Sequence, residues 1–448
     1  MKGGKPIAEG GYGCVFRPAL KCSNEDKRSD GVSKLMPTQK AMDEFMEIKS
    51  LRKKLKNIPN YKSKYMIPLS LCQPDKLTSE DMTSFTTKCE NLSQYGKDPN
   101  KKIDKYRIIN LPDGGKDIQS YTDKDIKTNS DLLELHVKLI SFLKNTIIPM
   151  NVVNVFHTDV KDNNVMVNSN KQLILIDWGL AGSINDKSKI PSFLSNRPLQ
   201  FNIPFGIVFF NDKSIMGIHK FIQQNPQYSF DELKTFMKAF YRDTIKVHLG
   251  VGHEGFLTNI FNQYIFEFTR KDFKEALFEY LATAVKTFTK NKTFDIKSYL
   301  FDVYLKNVDI WGFITIYFTF LMKRTKGAFS PEFYKGLKNL LIDYLLGYPD
   351  KPIPVYSLIK DLENLNDLIK PSTKKTATIF IKLNKAPPTP KSFEKNKNSP
   401  VIEFVRNKAS SPSKTKKKRC PNGTRRNKKT GKCEPYTRKK EPWQITPV

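Results

Sequence analysis

Several things are scarce in this chain of 448 residues. It has only 6 cysteines, none in a Cys-x-x-Cys pair. That does not look like a disulfide framework, and makes a reducing compartment the default. Long apolar runs are missing too. The longest nearly uncharged apolar stretches, such as residues 311–322, fall short of the ~18–20 residues that span a bilayer. Behind Met1-Lys2-Gly3-Gly4-Lys5 there is no apolar core of a leader, so no secretory signal is expected. No fixed-period repeat is visible, which argues against a solenoid or propeller. Acidic residues are few, 45 against 76 Lys+Arg, and the formal net charge is +31. Such an excess suits acidic partners: nucleic acid, anionic membrane or acidic protein.

Aromatic residues are plentiful. With 31 Phe and 18 Tyr the chain can build a sizeable core, and disorder throughout is excluded. The length allows about two or three domains.

The charge is unevenly placed. Residues 371–448 hold 22 Lys+Arg, 4 acids and 10 of the 27 prolines. Runs such as Lys414-Thr415-Lys416-Lys417-Lys418-Arg419 cannot bury enough apolar surface to offset chain entropy. The expectation is a disordered basic tail over 371–448 and a globular body before it. Within the body, Met42, Phe45, Met46, Ile48, Leu51 and Leu55 have helical spacing. From about residue 130 helices dominate. Their stripes are Leu132, Leu135, Leu139, Phe142, Leu143; then Phe230, Leu233, Phe236, Met237, Phe240; then Ala276, Leu277, Tyr280, Leu281, Ala284.

The first chemical signal is Ile7-Ala8-Glu9-Gly10-Gly11-Tyr12-Gly13-Cys14-Val15-Phe16, a glycine-rich loop between two strands. Glycines let backbone N–H groups approach phosphate oxygens with no Cβ in the way. Lys34 follows 21 residues after Gly13 in the alternating run Val32-Ser33-Lys34-Leu35, where a strand lysine can clamp the α- and β-phosphates of a nucleotide. Glu44 and Glu47 lie on the helix after it. One of them would pair with Lys34. Glu47 is preferred, because Leu51 and Leu55 follow it at i+4 and i+8, and Glu44 is the alternative.

The strongest signal is His157-Thr158-Asp159-Val160-Lys161-Asp162-Asn163-Asn164, followed by an apolar run at 173–176 and Asp177-Trp178-Gly179. Asp159 can orient a hydroxyl nucleophile and accept its proton. Asn164 and Asp177 are hard oxygen donors suited to Mg²⁺. Lys161 can stabilise charge on a transferred phosphoryl group.

These stretches resemble the protein kinase family, whose patterns are G-x-G-x-x-G-x-V, H-R-D-L-x-x-x-N and D-F-G. The 18 residues from Asp159 to Asp177 match the family spacing, and Lys161 resembles the serine/threonine subclass. The resemblance covers roughly residues 5–365. It implies a two-lobed α+β fold, with a β-rich N-lobe over 1–112, a helical C-lobe over 113–370 and a helical insertion at about 205–305. It also implies ATP and Mg²⁺ in the cleft and transfer of the γ-phosphate to protein Ser or Thr. In detail, Ile7, Ala8, Gly10, Gly13 and Val15 would cover the nucleotide, and Lys34 would hold its phosphates. Tyr106–Leu111 and the following Pro112-Asp113-Gly114-Gly115 resemble the last N-lobe strand and the hinge, so adenine would bond backbone at Asn110, Leu111 and Pro112. Val308-Asp309-Ile310-Trp311-Gly312-Phe313 resembles the start of the central C-lobe helix, where an aspartate braces the catalytic loop.

The chain departs from the family in three places. Thr158 stands where the family commonly has arginine, which implies no need for a phosphorylated activation loop. Trp178 replaces phenylalanine. No A-P-E follows Gly179, and Arg197-Pro198-Leu199-Gln200-Phe201-Asn202-Ile203-Pro204-Phe205 occupies its place. The combination is similar to serine/threonine kinases of nucleocytoplasmic large DNA viruses, which implies host cytoplasm or a virion as the location. Two alternatives stand beside it. One is a small-molecule phosphotransferase of the aminoglycoside or choline type, which shares the Asp-Trp turn. The other is a pseudokinase scaffold with a nucleic-acid-binding tail. For the tail, nonspecific nucleic-acid binding, another anionic partner, packaging, nuclear import and simple solubility are open readings. Cys420 and Cys433 bracket a basic loop there and are expected to be reduced thiols. Cys14 is expected to be a small residue in the phosphate loop.

Overall fold

The computed structural model describes residues 4–10, 13–25, 31–93, 96, 98–267, 269, 271–322 and 330–369, together with the backbone of 424–426 and 433–435. The chain divides into two compact units, residues 1–377 and 378–448.

The N-terminal region of the first unit is a five-stranded antiparallel sheet. Its strands are β1 (Lys5–Gly10), β2 (Gly13–Arg17), β3 (Val32–Pro37), β4 (Ser70–Cys72) and β5 (Tyr106–Leu111), in the order β1-β2-β3-β5-β4. Alternation in β2 turns Cys14 and Phe16 inward onto Leu20, Leu35, Phe85 and Ile108. Gly13 has no room for a side chain, since a Cβ there would lie 2.6 Å from Met36 Cγ and 2.8 Å from Leu35 O.

Here the expectation of unpaired cysteines fails. Cys14 is bonded to Cys89 and Cys22 to Cys72, across sequence separations of 75 and 50. Absence of a Cys-x-x-Cys pair excludes a local motif only. The sheet brings together cysteines far apart in sequence, and Cys14 is a cross-linked core residue on a strand rather than a small residue of a loop.

Helix α1 (Thr38–Leu55) buries Ala41 with Met36 and Ile109 of the sheet, and Ile48, Leu51 and Leu55 in the larger cluster of the helical region. The stripe differs from the expected one. Met42 and Met46 are 44% and 59% exposed, because the buried face is set by Ala41 and Ile48 rather than by the methionines.

The remainder of the first unit is helical. Asn129–Phe142 begins with a Thr128/Asp131 capping box and Phe230–Phe240 with a Ser229/Glu232 box. Phe273–Thr287, Leu305–Thr315, Pro331–Leu346 and Val355–Ile369 follow. One continuous buried cluster runs from Ile48 to Ile369. Residues 205–305 join this cluster as helices, as their stripes predict. Phe205 ties them in, with ring centroids 4.9 Å from Trp311, 5.2 Å from Tyr280 and 5.6 Å from Phe273. Two small sheets carry loops on the helical body. One is β6 (Lys116–Asp117), β8 (Val165–Val167) and β9 (Leu173–Leu175); the other pairs β7 (Val155–Phe156) with β10 (Gly182–Ser183). Among the described residues no helix is long and apolar enough to cross a membrane.

In the second unit, Thr424–Arg426 and Cys433–Pro435 form an antiparallel hairpin with Arg426 opposite Cys433. Cys420 and the rest of 371–423 lie outside the described residues.

Candidate active site

Lys34 comes from β3, where Val15 of β2 stands opposite it on one side and Ile109 of β5 on the other. Its Nζ lies 2.9 Å from both carboxylate oxygens of Glu44 and 3.8 Å from Asp177 Oδ1. The partner is therefore Glu44 and not the preferred Glu47. At 3.6 residues per turn, Glu44 falls roughly 25° from the centre of the face formed by Ala41, Ile48, Leu51 and Leu55, and Glu47 roughly 85° away. Spacing to Leu51 and Leu55 alone did not separate the two. Burial would lower the Lys34 pKa, but Asp177 and then Glu44 outweigh it and hold the ammonium above its ordinary value. On Glu47, burial raises the carboxyl pKa.

The glycine-rich segment lies on β1 and β2. Ile7 is 42% exposed, Ala8 pairs with Val15 and Gly10 with Gly13. The tip, Gly11 and Tyr12, lies outside the described residues. Asn110 does not fit its expected place. It is fully buried, and its carbonyl accepts from Leu69 N at 2.8 Å. Its side chain accepts from Ser33 Oγ at 2.7 Å and donates to Ser70 Oγ at 3.1 Å. Asn110 is an interior strand residue, with its carbonyl and side chain already taken by protein partners.

Asp159 is held from three sides. Asn164 Nδ2 donates to its Oδ2 at 2.8 Å, Asn202 Nδ2 to its Oδ1 at 2.8 Å, and Lys161 Nζ to its Oδ2 at 2.9 Å. The loop that carries it is braced from below by Asp309, which is fully buried. Asp309 accepts from His157 N at 3.0 Å and Thr158 N at 2.7 Å. Burial raises the Asp309 pKa, against His157, Asn151 and these two amides. Gly312, one turn further, allows the helix to touch this loop, since a Cβ there would come 2.6 Å from Val160 O.

The Asp177 turn is tied to the same loop. Ile176 N donates to Asn164 O at 2.9 Å, and His157 Nε2 contacts Ile176 O at 2.9 Å. Burial pushes the pKa of this histidine down. Trp178 is buried, edge-on to His157 at 5.0 Å, and its Nε1 donates to Met66 O. Asp177 has φ of 63° and Thr158 of 55°. Non-glycine residues in this region carry strain that the surroundings must hold. Desolvation would raise the Asp177 pKa, but Lys34, then His157 and Lys161, bring it below the ordinary value.

Among the described residues, no group of three or more His, Cys, Asp and Glu is close enough to hold a metal alone. The donor set here is an amide and a carboxylate, Asn164 and Asp177. That fits a hard ion such as Mg²⁺, which takes few protein ligands and completes its shell with phosphate and water. Asn164 uses its amide N–H groups on Asp159, leaving its carbonyl oxygen for a cation.

Sequence reasoning had placed Lys34, Asp159, Lys161, Asn164, Asp177 and Asp309, and all six lie in this network. Asn202 carried no role there, standing only within the 197–205 stretch that takes the place of A-P-E. A lone amide three residues before the helical turn at Phe205–Phe209 carries no signal of its own. A separate cavity of about 840 Å³, lined by residues including Glu275, Tyr280, Asp343 and Tyr348, shares no residue with the network. No protein-family model matches the chain, and no curated protein matches its sequence.

Proposed function

We propose that the protein is an ATP-dependent serine/threonine protein kinase with a two-lobed kinase fold. One observation carries this reading. The Glu44-paired Lys34 reaches Asp177, while Asp177 is bound through Ile176 to the loop that holds Asp159. A phosphate clamp, a cation-binding carboxylate and a base thus come from three distant stretches of chain into one network. The sheet order β1-β2-β3-β5-β4 ahead of a helical body supports the same reading. So do the motifs, and on sequence alone the nearer resemblance is to kinases of large DNA viruses.

The chemistry follows from the placement. Lys34 holds the α- and β-phosphates, and Glu44 keeps its Nζ in place. Asn164 and Asp177 would hold Mg²⁺, which when bound would neutralise phosphate charge. Asp159 orients a substrate hydroxyl and takes its proton as the oxygen bonds to the γ-phosphorus. The bond from that phosphorus to the β,γ-bridging oxygen breaks, and ADP leaves. Lys161, bonded to Asp159, is placed to meet charge on the transferred group.

The test is transfer of label from γ-labelled ATP to protein substrates and to hydroxylated small molecules. Asp159→Asn should lower kcat by roughly 10³-fold or more while ATP still binds. Labelling of a small molecule and of no protein would favour the small-molecule phosphotransferase. Unchanged turnover in Asp159→Asn would refute the base.

A further inference from the structure

One buried cation is left without a role by this mechanism. Arg197 is only 7% exposed, and among the described residues no carboxylate forms an ion pair with it. Burying a charge without a paired counter-ion is costly, so its hydrogen bonds must be specific. They are. Nη1 donates to Thr158 Oγ1 at 2.8 Å and Nη2 to Thr158 O at 2.9 Å. On its other edge, Nε donates to Gln200 Oε1 at 2.9 Å. Thr158 Oγ1 in turn donates to Leu180 O at 2.6 Å.

One guanidinium therefore joins three segments: the loop that carries Asp159, the exit of the Asp177 turn, and the stretch 197–202. That stretch ends at Asn202, which bonds Asp159 Oδ1. Arg197 so reaches the Asp159 carboxylate twice, through the backbone just before it and through the segment that presents Asn202. The planar fork is what makes this possible, since a lysine has no second edge to hold Gln200.

We propose that Arg197 is a positioning residue for phosphoryl transfer, fixing the Asp159 loop and the 197–202 segment in their working arrangement by hydrogen bonds to Thr158 and Gln200. This rests on the kinase reading. A positioning role predicts that orientation is lost while the nucleotide clamp at Lys34 and Glu44 is kept.

The experiment measures steady-state kinetics, ATP affinity and amide hydrogen exchange in the full chain for wild type, Arg197→Met, Arg197→Lys and Gln200→Leu. Arg197→Met is expected to lower kcat by roughly 30–100-fold with KM for ATP within about threefold, Arg197→Lys to recover part of that loss, and Gln200→Leu to lose roughly threefold to tenfold. Exchange should quicken at 158–160 and 197–203 and stay unchanged at 34–44. A purely structural role would lower kcat and ATP affinity together and quicken exchange everywhere, which overturns the proposal. So does a folded Arg197→Met with kcat within twofold of wild type. If Arg197→Met does not fold, Gln200→Leu and Arg197→Lys carry the same test. If wild type transfers no phosphate, the kinase reading fails by itself. Unchanged exchange at 158–160 and 197–203 in the variants then overturns the positioning role separately.

Discussion

The sheet region and the helical region hold themselves together by different means. The sheet buries a small set of side chains around Cys14, Phe16, Leu35, Phe85 and Ile108 and is cross-linked by Cys14–Cys89 and Cys22–Cys72. The helical region has no disulfide among its described residues. It is bound by one continuous core rich in aromatic contacts, with Phe205 and Trp311 at the centre. A small core gains little from area burial, whereas a large one gains enough to need no covalent help. The site lies where the two meet. Lys34 and Glu44 belong to the cross-linked side, and Asp159, Asn164 and Asp177 to the packed side.

The largest effect that tests this contrast is on the packed side. Trp311→Ala removes a side chain 2% exposed that contacts Phe205 and donates to Phe201 O. It should cost about 3–5 kcal/mol, read as a lower midpoint in denaturant. A loss under about 1 kcal/mol would show that the helical core is not what holds this half.

On the other side, reducing the two disulfides should cost roughly 2–4 kcal/mol each by freeing the unfolded chain. Melting with and without a dithiol reductant, followed by exchange at 13–22 and 70–89, measures it. Equal stability in both conditions would break the comparison.

Asp162 offers a sharper test within the loop that carries Asp159. Burial raises its pKa from 3.8 to about 6. Between those values the folded chain keeps a proton that the unfolded chain has lost. Stability contributed here therefore falls as pH rises through that window and stays low above it. Asp162→Asn should be the more stable protein at pH 7, by at most ~3 kcal/mol, with the advantage gone below about pH 4. Parallel stability-against-pH curves for the two proteins would contradict the burial effect.

The smallest expected effect concerns the junction. Glu44→Gln should lower kcat/KM roughly tenfold or more by releasing Lys34, and Glu47→Gln should stay within about twofold. The reverse ranking would undo the assignment of Glu44.

Much of the site was legible because its residues are near each other in sequence. Asp159, Lys161 and Asn164 lie within six positions, and the short strand before Asp177 sets its distance. Helical stripes from 132 to 284 were equally legible, since a 3.6-residue period shows directly which face is apolar. Two readings went astray for one shared reason. Asn110 at a hinge and the pairing of Cys14 and Cys22 depend on which neighbour arrives from far along the chain, whereas Glu44 against Glu47 turns on which face of α1 is buried, only ten residues from Lys34. Cys14 and Cys89 have Cα atoms 5.4 Å apart across 75 residues, a proximity no local pattern records.

The amino-acid order by itself determined the charge division, the helical periods and the sets of groups able to handle a phosphate. Those follow from side-chain chemistry and short-range geometry. Tertiary structure decided which glutamate meets Lys34, which cysteines join, and that Arg197 and Asn202 return to Asp159 from some forty residues away. Such choices depend on the packing of whole elements against one another, and a buried charge or thiol has its partner chosen by that packing.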